Sequence, residues 1–432
     1  MRSTLEVCRP SSPTQRLQTA GSTQRRFTLF RRVWAVFGLL LFASSWRLWT
    51  PQTQFPQIPF FEFLIDVPGW VDWLGMVLTG LSLILCACAR HRSHVTLSLL
   101  VFSISVSVLI LLNQHRMQPW AYQFLVFAII MATARPKTAL FWMRWIVISI
   151  YIFSAISKFD YQFFHTVGRE MQWSLFGSFG VDSRTWPEVV QHWIVFTFPL
   201  AELLIGVTLA ISKFRRIGAA AAIMMHVVLL IALIGNVDGP GVLIWNLYFV
   251  AQTLFLFGPR VESETNFLAG RSELGSRARP ERLQVVPSIV SIVVILFPLT
   301  EPIGICDHWP AWQLYAPSSS RAKLSKSHVE AEDLIWSDIP KWSTRSLRVP
   351  VYPQARFQFA VAISVHQKFA DAHDYRIEVA GKSDRWTGIR ITEALTGPDQ
   401  FKMQLRQYRL NTSPRSFWWN DPLATSEPGQ QE

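Results

Sequence analysis

Nine apolar runs joined by short polar loops take up most of the chain between residues 33 and 299. They lie at Val33–Trp49, Trp73–Ala89, Val95–Leu112, Trp120–Ala134, Ala139–Ser157, Val190–Ile211, Ile217–Ile234, Val242–Phe257 and Val286–Leu299. Hydrocarbon offers no water to an unpaired backbone, so a chain crosses it as helices or as a closed barrel. Runs of this length without strict alternation read as helices, although several fall short of the roughly 20 residues of a perpendicular span. Composition agrees, with 50% hydrophobic and only 16% charged residues, against about 25% charged in globular domains. The expected fold is an all-α polytopic membrane protein of about nine transmembrane helices, followed by a small C-terminal α+β extramembrane domain.

The net charge of +12 does not make this a nucleic-acid binder, because no helix-turn-helix, zinc-finger or RRM pattern accompanies it. Its basic residues sit in alternate loops instead. Arg90 and Arg92, Arg135 and Lys137, then Lys213, Arg215 and Arg216, and finally Arg260, Arg271, Arg277, Arg279 and Arg282 fall on one side. The segments Thr50–Val71 and Gly235–Gly241 on the other side carry no Lys or Arg. The positive-inside rule then puts the N-terminus in the cytoplasm and everything after the ninth run outside. A bacterial inner membrane with a periplasmic C-terminal domain is the expected location. The expected division is a disordered basic tail over 1–26, a transmembrane domain over 27–305 and an extracytoplasmic domain over 306–432.

Within 306–432, Arg345–Val351, Tyr375–Val379, Gly388–Ile391 and Phe401–Tyr408 read as strands, and Gln354–Phe369 as an amphipathic helix. The Trp-rich stretch Cys306–Pro317 suits a collar at the membrane surface. Cys8, Cys86, Cys88 and Cys306 make no disulfide framework, and Cys86 and Cys88 read as small packing residues. His91 and His94 lie in a basic loop without acidic or Cys companions, so no metal site is expected.

The polar residues inside or beside the apolar runs are the candidate site. Lys158 ends the fifth run and is followed by the aromatic Phe159 and Phe163. Two readings stay open: a snorkelling interface anchor, or an amine desolvated until its free base can take a proton. Glu202 and His226 lie inside the sixth and seventh runs, where charged residues cost about 2.5–3.5 kcal/mol on insertion scales. Both sit roughly 14 Å from the connecting turn by helical rise, so a hydrogen bond between them is expected to be within reach. The outer loop from Asn113 to Trp120 supplies Asn113 and His115, and Asn236 and Asp238 are candidate lining of an outer vestibule. Arg144 reads as a snorkelling structural residue.

The segment Ser154-Ala155-Ile156-Ser157-Lys158-Phe159-Asp160-Tyr161-Gln162-Phe163, together with the outer Asn113-x-His115 loop and the central His226, resembles the HTTM (horizontally transferred transmembrane) family, related to vitamin K-dependent gamma-glutamyl carboxylase. That family's motif runs roughly A-G-x-K-K-L-D-x-x-W. Here Ile156 replaces its glycine, Ser157 one lysine and Phe163 its tryptophan. The resemblance implies Lys158 as catalytic base toward a lipid-soluble quinol, with His115 in support and Asn113, Phe159, Phe163 and Asn236 near the substrate. Two other readings stand beside it: a non-catalytic membrane subunit or scaffold whose C-terminal domain binds a periplasmic protein, and a proton-coupled transporter using Glu202 and His226. The lipid bilayer is a partner in all three.

Overall fold

The computed structural model describes residues 13–234, 239–258, 282–326, 338–369 and 375–419. The helices of the bundle are α1 (Pro13–Ser44), α2 (Trp46–Trp49), α3 (Trp70–Cys88), α4 (Arg92–Leu112), α5 (Pro119–Thr133), α6 (Pro136–Lys158), α7 (Tyr161–His165), α8 (Val167–Gly177), α9 (Glu188–Ala210), α10 (Arg215–Leu233), α11 (Pro240–Phe257) and α12 (Arg282–Leu296). Among the described residues seven helices are long and apolar enough to cross a membrane: α1 from Gly21, α3, α4, α6, α9, α10 and α11. The fourth and ninth expected runs form shorter apolar helices, Pro119–Thr133 and Gln284–Thr300. The protein is therefore a multi-pass membrane protein, mostly helical.

Local sequence explains where the helices start. α5, α6 and α11 each begin on a proline, Pro119, Pro136 and Pro240. There the missing N–H costs nothing, because first-turn donors have no intrahelical partner. Neighbours pack in order, α3 on α4, α4 on α5, α9 on α10 and α10 on α11. α6 lies against α9, and Gly206 lets them approach closely: a Cβ there would come within 2.9 Å of Ile152 Cγ1. Large apolar side chains such as Leu97, Ile104, Leu81 and Leu204 remain exposed on the outside of the bundle, which hydrocarbon tolerates and water would not.

The C-terminal region carries β1 (Arg321–Lys326), β2 (Tyr375–Ala380) and β3 (Thr392–Leu395), an antiparallel sheet in the order β1-β2-β3. Leu324 pairs with Ile377 and Ile377 with Leu395, which puts three buried apolar residues on one face. Its helices are α13 (Ile339–Leu347), α14 (Ala355–Phe369) and α15 (Pro398–Arg406). α14 matches the expected helix and packs on β1 and β2. Two expected strands do not form: one is helical only at its start and the other is mostly helix. Arg345–Val351 straddles the end of α13, which stops at Arg348 in the left-handed conformation (φ 57°). Phe401–Tyr408 overlaps α15, where Phe401 and Gln404 are buried at helical spacing; over so few residues the two periods look alike. Gly388–Ile391 leads into β3 rather than forming a strand, and β1 was not foreseen.

This region is bolted to the bundle. Asp72, in the first turn of α3, lies 2.5 Å from Arg116 Nη1 and accepts a hydrogen bond of 2.6 Å from Arg415 Nη1, with all three side chains fully buried. Arg356 pairs with Asp307 and donates to Gln114 Oε1 at 3.0 Å. One continuous apolar core runs from Phe27 in α1 to Trp418.

Candidate functional site: an apolar cavity with one ion pair

The last two turns of α6 place Tyr151, Ser154 and Lys158 three and four residues apart, hence on one helix face. Lys158 does not reach outward. Its Nζ donates to Ser154 Oγ at 2.7 Å and to Glu202 Oε2 at 2.5 Å, and the side chains are only 7% and 12% exposed. Both line a cavity of about 590 Å³ between α6, α8, α9, α10 and α11. Its walls are mostly apolar, including Phe163, Met171, Phe198, Met224, Trp245 and Phe249. Leu314 and Tyr315, from the Trp-rich stretch after α12, complete the lining.

A second polar group sits on the same wall. His226 Nδ1 faces Asn246 Oδ1 at 2.8 Å and its Nε2 faces the Tyr151 hydroxyl at 2.8 Å. The amide oxygen can only accept, so Nδ1 carries the proton and Tyr151 donates to Nε2. The ring stacks on Phe249 with centroids 4.6 Å apart. The expected Glu202–His226 hydrogen bond is thus replaced by two separate arrangements. Glu202 takes the ammonium of Lys158, a charge-assisted partner stronger than a neutral imidazole, and His226 is satisfied by neutral groups. Both residues still line the cavity.

The other sequence candidates lie apart from it. His115 is fully buried beneath the C-terminal region, its Nε2 bonded to the Pro350 carbonyl at 3.0 Å and its ring between Phe55 and Phe357. Burial, aided by the charge of Arg116 and outweighing the Pro350 bond, pulls its pKa down to about 4. It is not among the cavity-lining residues, so the expected convergence of His115 with Lys158 does not occur. The loop is covered by Ser343 and Pro350, more than two hundred residues later, which no local pattern announces. Asn113 accepts the His115 N–H at 3.1 Å and shapes that turn. Phe159 packs on Phe196 (5.8 Å) outside the cavity, whereas Phe163 lines it. Arg144 donates to the Leu256 carbonyl at 2.6 Å. Asn236 and Asp238 lie outside the described residues. No group of three or more His, Cys, Asp or Glu placed to hold a metal occurs among the described residues.

Sequence reasoning passed over Tyr151, Ser154, Asn246 and Tyr315. The stripe Tyr151–Ser154–Lys158 was readable as polar residues at helical spacing inside an apolar run. Tyr315, arriving from a distant loop, had no such signal.

Residues 136–241 match a family described as methylamine utilisation protein MauE. The match spans α6 through α10, the helices that build most of the cavity, and covers well under half of the chain. It corrects the resemblance drawn from the Lys158 motif: the HTTM family finds no support, and with it goes the carboxylase-like expectation. A short lysine motif at a helix end recurs wherever a membrane helix meets water, so it was too small a stretch to carry a family. No curated protein and no solved structure matches the chain.

Proposed function

We propose that this protein is a non-catalytic membrane subunit that holds one lipid-soluble, oxygen-headed molecule, a quinone or quinol being the nearest chemical class, in the cavity of its helix bundle. The observation that carries the reading is the Lys158–Glu202 pair set in the wall of an otherwise apolar cavity. An ammonium has three donors, and two are engaged by Ser154 and Glu202. The third is available to a carbonyl or hydroxyl oxygen, while the apolar walls suit a hydrocarbon body. The volume falls in the range of about 300–1,000 Å³ usual for small-molecule sites. The likeness to methylamine utilisation protein MauE supports a membrane role connected with that process. Methylamine itself fits the cavity poorly: the only carboxylate on its wall already has a cation, and the space is many times larger than the molecule. The alternating basic loops support an inner-membrane orientation with the N-terminus cytoplasmic and the C-terminal region periplasmic, where it would meet a partner protein.

The test is binding of a short-chain ubiquinone analogue to the full-length protein in nanodiscs, followed by quenching of tryptophan fluorescence, since Trp245 lines the cavity. A hydrogen bond from a charged donor is worth about 1.5–3 kcal/mol, so Lys158→Met is expected to weaken binding by about tenfold or more. Equal affinity of parent and variant would overturn the reading.

A further inference from the structure

We propose that the loop spanning 381–391 of the C-terminal region is a membrane-inserting tip, which seats this region on the bilayer surface beside the cavity-forming helices. Three large apolar side chains in this loop point away from the protein: Trp386, Ile389 and Ile391 are 77%, 68% and 85% exposed. Water-facing clusters of this kind mark interaction surfaces, and the anchoring of the loop fixes which one.

On one side the backbone N–H of Tyr161 donates to the Arg385 carbonyl at 2.8 Å, and Gln162 Nε2 donates to the Gly388 carbonyl at 2.8 Å. Tyr161 lies three residues beyond Lys158, where the membrane-crossing α6 ends. On the other side Lys382 Nζ bonds Glu301 Oε1 at 2.6 Å and the Glu301 carbonyl at 2.9 Å. Glu301 directly follows the apolar helix Gln284–Thr300. The loop is therefore tied to two points at which apolar helices leave the hydrocarbon, and its height is that of the bilayer–water boundary. Leu299, Ile303 and Ile305, which flank Glu301 in sequence, are exposed as well.

The loop is built to hold this pose. Gly388 (φ 70°) rests against the Tyr161 ring, where a Cβ would come within 2.3 Å of Cδ1. Asp384 Oδ1 accepts the N–H groups of Trp386 at 3.0 Å and Thr387 at 2.8 Å. Arg390 Nη1 donates to the carbonyls of Ser319 at 2.7 Å and Gly381 at 2.8 Å. An indole at headgroup level with Lys382 and Arg385 beside it is the composition of an interfacial anchor.

The test uses the full-length chain with Cys8, Cys86, Cys88 and Cys306 replaced by alanine, and a single nitroxide introduced at Ile391→Cys or, separately, Ile389→Cys. In nanodiscs of phosphatidylcholine and phosphatidylglycerol, collisions with oxygen should exceed those with a water-soluble nickel chelate, as at the control Ile104→Cys on the exposed face of α4. The oxygen-to-chelate ratio should stand several-fold above that of free label in water. If the chelate dominates at both loop positions, as it would on a surface kept in water for a protein partner, the proposal is overturned.

Discussion

Two buried ion clusters divide the molecule's polar interior, and they differ in what lies next to them. Asp72, Arg116 and Arg415 are fully buried, and most of the nitrogens they offer find acceptors, Arg415 Nε excepted. Arg116 also donates to the carbonyls of Leu48 (2.7 Å), Leu109 (3.1 Å) and Thr50 (3.3 Å), and Arg415 to Gln57 Oε1 (3.3 Å) and Val67 O. Lys158 and Glu202 instead face open space on one side. The first cluster joins α3 and the loop before α5 to the C-terminal tail, which lies about three hundred residues further along the sequence. The second joins neighbouring helices that already pack together. A charge group sealed on every side by packed atoms is a joint; one with a free donor beside a void is a site.

The largest effect expected from breaking this comparison comes at the joint. Asp72→Asn leaves two guanidinium groups buried together without a carboxylate, and losing one partner of a buried pair costs about 3–5 kcal/mol. Glu202→Gln keeps a hydrogen-bonding partner for a single cation, Lys158, whose side chain is 7% exposed at the cavity wall, and should cost less, on the order of 1 kcal/mol. Thermal melts of the two variants in one detergent measure the difference. Equal losses would erase the distinction between joint and site.

The second effect is one of pH and is read beside the joint. His115 adjoins Arg116 and is buried neutral, with its pKa lowered from 6.5 to about 4. Between those values the unfolded chain binds a proton that the folded chain refuses, so stability is intact above about pH 6.5 and falls as pH drops toward 4. The loss approaches a few kcal/mol at the acid end, each pKa unit being worth about 1.4 kcal/mol. His115→Gln should flatten the acid limb of a plot of melting temperature against pH. An unchanged slope would show that other groups set it.

How much of this was legible in the sequence follows the same division. The membrane helices were readable because hydrocarbon imposes a length and an apolarity that local sequence must supply. Lys158, Glu202 and His226 were readable for the complementary reason, as charges or imidazoles where neither belongs. Their pairing was not: the rise per residue gave equal depth but not rotation, and Lys158 on α6 takes the carboxylate while His226 bonds Asn246 and Tyr151. The joint was invisible, since Asp72 looks like an ordinary first-turn acid and Arg415 like a tail residue until the chain folds back. In the C-terminal region the strands and helices are too short for alternation and helical spacing to be told apart, as at Phe401–Tyr408.

The smallest effect sharpens the site. Ser154 Oγ takes one of the three Lys158 protons and donates none to the cavity molecule in this reading. Ser154→Ala frees that proton and removes a neighbour that fixes the direction of Nζ. The two consequences oppose each other in stability, so the melting temperature should move by little, within the roughly 1 kcal/mol of one ordinary hydrogen bond. In ligand binding they do not cancel, because a less directed ammonium presents its free proton to the cavity for a smaller share of the time. A two- to threefold weakening of the short-chain quinone, about 0.4–0.7 kcal/mol at 1.4 kcal/mol per decade, is expected with little loss of stability. The same titration in nanodiscs reads it. A Ser154→Ala protein that loses stability and keeps its affinity would make Ser154 part of a joint, and the ion pair beside it with it.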